Sequence, residues 1–266
     1  MIEALSPDDL LAATDGDMYV RVAVANGAVT DGAWAGDGAV VWANTHHGRP
    51  GFAGVGSPHG AATVVAALLD EIPDARRASL PRGWLDHLPT DLRVESRSDW
   101  DWMWTTTPPP SLPGAAGARW LVPDDHDDVS ALLHEVSPGA STWPDDGRSH
   151  RWAGIRDDDG VLVACLADTS RSATVAHVSS VATAAAHRRR GHARALMGWV
   201  TRRFLEEGRS PVTLGMYADN DAARGMYGSL GFTCQHTFTG AVVAAATHPD
   251  DPTLTREGHP HRALTR

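Results

Sequence analysis

The loop from His187 to Ala193 carries the residue types that are best suited to hold an anion. Three arginines supply positive charge, and a glycine lets a ligand approach the backbone: Arg188, Arg189, Arg190 and Gly191. A β-branched run over 174–183 precedes the loop, and apolar residues at helical spacing follow it, which predicts strand, loop and helix. Free N–H groups and the positive dipole at a helix start attract phosphate. The pattern predicts a phosphate cradle; a solvated charge cluster is the alternative.

A second informative segment runs from 212 to 232. Its first part reads as a strand, and Asn220 can cap the short helix that follows. Ala223 and Tyr227 fall on one face of this helix, and Gly231 ends it. The segment therefore predicts another strand and helix, which come after the basic loop in the chain.

The two segments together resemble the acetyl-coenzyme A site of the GCN5-related N-acetyltransferases (GNAT). The matching patterns are Arg188-x-x-Gly191-x-Ala193 and Asn220-x-x-Ala223-x-x-x-Tyr227-x-x-x-Gly231-Phe232. The resemblance implies an α/β fold of GNAT type, with a mixed central sheet flanked by helices, over residues 118–245. It also implies acetyl-CoA as co-substrate, without a metal.

The resemblance further implies roles for individual residues. Backbone N–H groups of Val181 and Thr183 would bind the pantetheine arm and polarise the acetyl oxygen. Tyr227 matches the tyrosine that protonates the leaving thiolate in many family members, although a core tyrosine is the alternative. The expected coenzyme-binding residues are Val181, Ala182, Thr183, Arg188, Arg189, Arg190, Gly191, His192, Ala193, Asn220 and Ala223.

A general base is less clearly marked. His177 lies on the strand before the loop, near the place where lysine-acetylating branches often carry a glutamate. An imidazole can remove a proton directly or through water. Because this position holds histidine instead of glutamate, the alternative is that His177 is a partly buried strand residue without a catalytic role. Glu135, Asp145 and Asp146 lie in a segment that can attract a cationic amine, although exposed carboxylates are usually only solvated.

The rest of the chain divides near a proline-rich segment. We expect an N-terminal α/β domain over 1–104, which resembles a degenerate copy of the GNAT fold, and a linker over 105–117. The GNAT domain over 118–245 precedes a poorly ordered tail over 246–266. In the first part, Tyr19–Val24 reads as a hairpin strand.

Two features of the first part have alternative interpretations. The glycine-rich segment 54–60 lacks arginine, so a turn without ligand is favoured over a second phosphate loop. Trp100, Trp102 and Trp104 fall on one face of an extended strand. They either form a hydrophobic seam between the two halves, which we favour, or line an acceptor cleft.

Composition narrows the classes of partner. A net charge of −10 over 266 residues argues against nucleic acid as main partner. No apolar run is long enough to span a membrane, and the first residues do not resemble a signal peptide, so we expect no membrane partner and a cytoplasmic location. The oligomeric state stays open, and a homodimer is one alternative.

The sequence thus predicts an N-acetyltransferase that moves an acetyl group from acetyl-CoA to a primary amine of a small molecule or peptide. The resemblance implies direct attack within a ternary complex. A catalytically weak acyl-CoA-binding sensor is the runner-up, and a protein that kept only the fold is the third reading. The residues identify neither the amine nor the preferred length of the acyl group.

Overall fold

A computed structural model describes residues 2–46, 48–72 and 75–245, and the predicted tail over 246–266 lies outside these ranges. Within them, twelve strands form a single mixed sheet. The strands are β1 (Glu3–Leu5), β2 (Ala33–Gly36), β3 (Ala39–His46), β4 (Arg49–Gly56), β5 (Arg77–Pro81), β6 (Leu92–Thr105), β7 (Ala118–Trp120), β8 (Arg151–Arg156), β9 (Leu162–Asp168), β10 (Ala176–Thr183), β11 (Val212–Tyr217) and β12 (Thr233–Ala245).

Helices cover both faces of the sheet. They are α1 (Pro7–Ala13), α2 (Met18–Ala25), α3 (Pro58–Glu71), α4 (His126–Val136), α5 (His192–Glu206) and α6 (Asp221–Ser229). Helices α3, α5 and α6 pack on one face, where Leu196 and Tyr227 share a core with Leu214. Helices α1, α2 and α4 cover the other face. None of the described helices has the length and apolarity needed to cross a membrane.

The order of strands has an internal two-fold pattern. It runs β1-β2-β3-β4-β5-β12 and then β6-β11-β10-β9-β8-β7. Each pair of neighbouring strands in the first half is parallel or antiparallel in the same way as the corresponding pair in the second half. The parallel pairs are β4–β5 and β10–β11. The two halves of the chain therefore build sheets of equivalent topology that meet at the pair β6–β12.

The central strands are exchanged between the halves. Strand β6 belongs to the first half by sequence but pairs with β11 from Val212↔Thr105 to Tyr217↔Trp100. Strand β12, the last of the second half, pairs in turn with β5. The two exchanged strands also pair with each other along nearly their full length. Each half therefore completes its sheet with a strand from the other half.

The predicted strand over Tyr19–Val24 is wrong, because these residues lie in helix α2. The Asp17 side chain accepts a hydrogen bond from the Val20 N–H at 3.2 Å and so caps the helix. Val20 and Val22 are buried against the sheet. Burial of one face of a short β-branched segment overrides its intrinsic strand preference.

The three tryptophans of β6 lie where the two halves join. Trp102 is 3% exposed and shares a core with helices α1 and α2, on which Trp100 and Trp104 also pack. The ring centroids of Trp102 and Tyr19 are 5.2 Å apart, and those of Trp100 and Phe238 are 4.7 Å apart. These contacts agree with the interpretation of the three tryptophans as a hydrophobic seam between the two halves. The following segment, predicted as a linker, packs on α5, where Leu112 contacts Gly198.

Candidate active site

Strands β10 and β11 separate in the middle of the sheet. They pair in parallel only at Ala176↔Val212, His177↔Thr213 and Val178↔Leu214. Beyond these pairs β10 continues beside β9 and β11 continues beside β6, so the strands diverge. Gly215 is exposed although it lies on an interior strand of the sheet. The divergence leaves a V-shaped cleft with free backbone groups along 179–183.

A bulge shapes the β10 side of this cleft. The register of β10 against β9 shifts between Ser179 and Ala182, and Ser180 has a φ of 50°. The Ser180 hydroxyl donates to the Thr142 carbonyl at 3.0 Å and lies 3.1 Å from the Thr142 N–H, which donates to it. These two hydrogen bonds compensate for the unusual backbone conformation. They also fasten the loop after α4 to the edge of the cleft.

The basic loop leads from β10 to α5 as predicted. Gly191 is the N-cap of α5 with a φ of 84°, and no side chain caps the helix. Arg189 also has a positive φ of 61°. A Cβ at Gly191 would meet no atom within 4 Å, and the three arginines are exposed. The first N–H groups of a long helix therefore face open space beside three positive charges, which suits a phosphate group.

Two histidines flank this loop. The His187 Nε2 atom lies 3.4 Å from a carboxylate oxygen of Asp157, and the ring centroids of His187 and His192 are 6.0 Å apart. Burial lowers the pKa of His192, and the neighbouring His187 and Arg190 lower it further. His192 is therefore neutral at neutral pH. The positive charge of the cradle comes mainly from its arginines.

Helix α6 carries the second predicted half of the site. The Asn220 side-chain oxygen accepts a hydrogen bond from the Ala223 N–H at 3.0 Å, so Asn220 caps this helix. Tyr227 is 5% exposed and packs beside Phe232 in the core below α5. Burial raises the pKa of the Tyr227 hydroxyl to about 12. In the part of the chain that the structure describes, Tyr227 packs among apolar residues, and its ring centroid lies 6.0 Å from that of Phe232.

His177 lies at the closed end of the cleft, on the last but one pair of β10 with β11. Its Nδ1 atom is 2.8 Å from the hydroxyl of Thr213. Burial lowers the pKa of His177 to about 4, and the positive charge of Arg171 acts in the same direction. His177 is therefore neutral at neutral pH. Its ring lies on the face of the sheet opposite α5 and α6, because its neighbours Ala176 and Val178 belong to the core below α5.

Aromatic residues of β6 and β11 border the cleft on that face. Trp102 pairs with Gly215, and a Cβ at Gly215 would lie 3.4 Å from the Trp100 ring. Tyr217 is 63% exposed at the open end. The sequence interpretation missed Gly215 and Ser180, since one glycine in a strand and one serine in a bulge carry no distinctive spacing.

Of the three predicted acidic residues, Asp146 is held within its own loop. Asp146 accepts hydrogen bonds from the Trp143 N–H at 2.7 Å and from the Arg148 Nε at 2.9 Å. Glu135 and Asp145 are exposed. In the described ranges no group of three His, Cys, Asp or Glu side chains could hold a metal ion.

The counterpart of this site in the first half is closed. Only Ser57 separates β4 from α3, so there is no loop equivalent to 184–191. A Cβ at Gly60, in the first turn of α3, would lie 2.4 Å from the Asp37 carbonyl oxygen, and one at Gly54 would lie 2.9 Å from Leu80. Packing thus fills both the helix start and the gap between β4 and β5. This supports the glycine-rich turn without ligand at 54–60.

Solved structures share this architecture. A GCN5-related N-acetyltransferase from Sphaerobacter thermophilus aligns with a TM-score of 0.56 and 18% identity, covering 92% of this chain and 95% of that chain. A GNAT acetyltransferase from Novosphingobium aromaticivorans has a TM-score of 0.51 and 24% identity, covering 91% and 100%. A GCN5-related N-acetyltransferase from Kribbella flavida has a TM-score of 0.53 and 19% identity, covering 87% of this chain and 95% of that chain. At these identities the likeness shows the fold alone. No curated protein matches the chain.

The fold is the N-acetyltransferase type of α/β fold. It has two parallel strands that diverge, a helix that starts at Gly191 without a side-chain cap, and the architecture of the aligned structures. Residues 101–232 match the acetyltransferase (GNAT) family, and this part of the chain belongs to that family. The match begins inside β6, so it includes the end of the strand that the first half contributes. The predicted family is confirmed for residues 101–232, and the predicted fold class is confirmed as well.

Proposed function

We propose that the protein is an N-acetyltransferase, which transfers the acetyl group of acetyl-CoA to a primary amine of a small molecule or peptide. The observation that carries this proposal is the exposed cleft between β10 and β11, which leads to the uncapped start of α5. We propose that the free backbone groups, the phosphate cradle and the Tyr227 phenol together bind one coenzyme molecule. The equivalent surface of the first half is filled by its own packing.

The coenzyme would follow this surface. The N–H groups of residues 189–193 and the exposed arginines suit the pyrophosphate. The backbone of Val181, Ala182 and Thr183, which is unpaired toward β11, suits the amides of the pantetheine arm. A donor from this strand would also polarise the acetyl oxygen as negative charge develops there. Ala223 and Asn220 would border the arm from α6.

Direct transfer requires a neutral amine to attack the thioester carbonyl carbon while both substrates are bound. The C–N bond forms as the C–S bond breaks, and the amine loses one proton while the leaving thiolate gains one. The Tyr227 hydroxyl supplies the proton that the thiolate gains, because its raised pKa keeps it protonated over the working pH range. The phenolate then recovers a proton from solvent, which balances the proton that the amine releases. Most of the acceleration comes from holding the two substrates in line.

His177 is proposed to receive the proton of the amine, directly or through water. The ring is neutral at neutral pH and lies at the closed end of the cleft, on the face away from α5. The Trp100 ring and Gly215 border the cleft on the same face, which would be the side where the amine enters. Its low pKa makes His177 a weak base, so a water relay to solvent suits it better than storage of the proton.

A thermal-shift titration tests the donor site, and thiol release across a panel of primary amines tests transfer. We expect millimolar acetyl-CoA to raise the melting temperature, because a ligand that binds only the folded state stabilises it. We also expect amine-dependent release of free thiol. An absence of stabilisation would exclude both an enzyme and an acyl-CoA sensor. Stabilisation without thiol release from any amine would favour the sensor.

A further inference from the structure

Asp101 is a fully buried carboxylate in the centre of the sheet. Its exposed fraction is 0%, and it lies on β6, on the face that carries α5 and α6. One oxygen accepts a hydrogen bond from the Arg82 Nη2 at 2.8 Å, and the other accepts one from the Arg224 Nη1. A buried carboxylate needs such partners, because an unpaired charge is costly inside a protein.

The three residues come from three separate elements. Arg82 directly follows β5, and its backbone N–H donates to the Thr237 carbonyl at 3.0 Å. Thr237 is the neighbour of Asp101 on β12, while Arg224 projects from helix α6. The cluster thus connects the first half of the chain with the helix that carries Tyr227. It spans the place where the two exchanged strands meet.

Arg224 is a polar anchor of α6, in addition to the hydrogen bond that the Arg194 Nε of α5 donates to the Ser229 hydroxyl at 3.0 Å. The Arg224 Nη2 donates to the Ala218 carbonyl at 2.7 Å, at the turn before the helix. The hydrogen bond that Arg224 donates to Asp101 raises the pKa of Arg224. Gly225 and Gly228 weaken the helix itself, since glycine is an unfavourable residue in a helix interior. The orientation of α6 therefore depends strongly on its tertiary contacts.

Arg224 and Tyr227 are three residues apart, so their side chains lie on adjacent parts of the same helix face. We propose that Asp101, held between Arg82 and Arg224, is a positioning residue that sets the orientation of helix α6 and thereby places the Tyr227 hydroxyl. The first half of the chain then contributes to acetyl transfer without holding coenzyme itself. This inference rests on the proposed role of Tyr227.

The test combines hydrogen exchange with steady-state kinetics. Asp101→Asn removes the charge that the arginines share, and Arg82→Gln weakens the cluster from its half-exposed end if the first variant fails to fold. Arg93→Gln is the matched control, because Arg93 forms an exposed ion pair with Glu95 on the same strand. Each variant is compared in the natural background and in the Tyr227→Phe background.

We expect Arg82→Gln to raise amide exchange in residues 221–229 about tenfold and to leave the core of α5 unchanged. We expect kcat to fall about tenfold while the KM for acetyl-CoA rises less than about threefold, since the phosphate cradle lies on another helix and only Asn220 and Ala223 would border the coenzyme from α6. In the Tyr227→Phe background the same substitution should cause no further loss of kcat. The control should change none of these values.

Two results would overturn the inference. Unchanged exchange in 221–229 would show that the cluster does not hold α6. A fall in kcat that is equally large in the Tyr227→Phe background would show that the cluster acts by general destabilisation. If Tyr227→Phe itself leaves kcat unchanged, the proposed general acid fails, whereas the exchange result still reports separately on the anchoring of the helix.

Discussion

The hydroxyl of Thr213 determines which nitrogen of His177 carries a proton. Thr213 donates its single hydroxyl proton to the Ala176 carbonyl at 2.9 Å, and its oxygen lies 2.8 Å from the His177 Nδ1. The hydroxyl can therefore only accept from the imidazole, which places the proton on Nδ1 and leaves the lone pair on Nε2. A neutral ring with a free Nε2 is the form that a proton acceptor needs.

The first prediction concerns the dependence of stability on pH. Burial holds the pKa of His177 at about 4, below its unfolded value of about 6.5. The unfolded imidazole is therefore protonated first as the pH falls, and stability is lost between pH 6.5 and pH 4. His177→Gln should make this loss shallower by at most about 3 kcal/mol, measured by urea unfolding at several pH values. The matched control is His59→Gln, which changes an exposed histidine in the first half of the chain.

The second prediction compares two glycines that both have open space where a Cβ would be. Gly191 has a φ of 84°, so Gly191→Ala should cost about 1–2 kcal/mol and weaken acetyl-CoA binding by shifting the cradle. Gly228 lies within helix α6, so Gly228→Ala should stabilise the protein by about 1 kcal/mol. Thermal unfolding and calorimetric titration measure both. Equal effects of the two substitutions would contradict the special backbone role of Gly191.

The third prediction concerns Tyr227. Tyr227→Phe should lower kcat about 100-fold, because the leaving thiolate loses its proton donor. The stability should change little, since the phenyl ring that packs in the core below α5 is retained. With a pKa of about 12, the phenol stays protonated to alkaline pH, so the natural enzyme should show no loss of kcat from this group below pH 10. Equal kcat values for both proteins across the pH range would exclude the general-acid role.

The fourth prediction concerns the seam between the halves. Trp102 is buried among residues of both halves, so Trp102→Ala should destabilise the protein by about 3–5 kcal/mol. Because β6 and β12 are exchanged, unfolding should remain one cooperative transition. Circular dichroism and tryptophan fluorescence should report the same midpoint. Two separate transitions would mean that the halves are independent despite their shared strands.

The second half of the fold could be predicted from sequence because its signals are local. Strand β10, the basic loop and helix α5 follow one another along the chain, so periodicity and one glycine predict them together. The same holds for β11, the Asn220 cap and helix α6. The hairpin of β8 and β9 around Gly160 is likewise formed by segments that are neighbours along the chain.

The remainder depends on contacts between distant residues. Strand β6 pairs with β12 at Asp101↔Thr237, and no local sequence pattern predicts which distant strand a given strand will pair with. Helix α2 was mistaken for a strand because tertiary burial outweighed the preference of its valines. A single aspartate among tryptophans gives no sign that it is buried between Arg82 and Arg224. These features appear only when the halves are assembled.

Amine-dependent thiol release from acetyl-CoA tests the central claim most directly. The full chain is mixed with acetyl-CoA and a panel of small amines and peptides with free N-termini, and free thiol and acetylated product are both quantified. The account predicts stoichiometric thiol and N-acetyl product with at least one amine, and about 100-fold less with Tyr227→Phe. Binding of acetyl-CoA without product from any amine would contradict the claim that the cleft between β10 and β11 catalyses acetyl transfer.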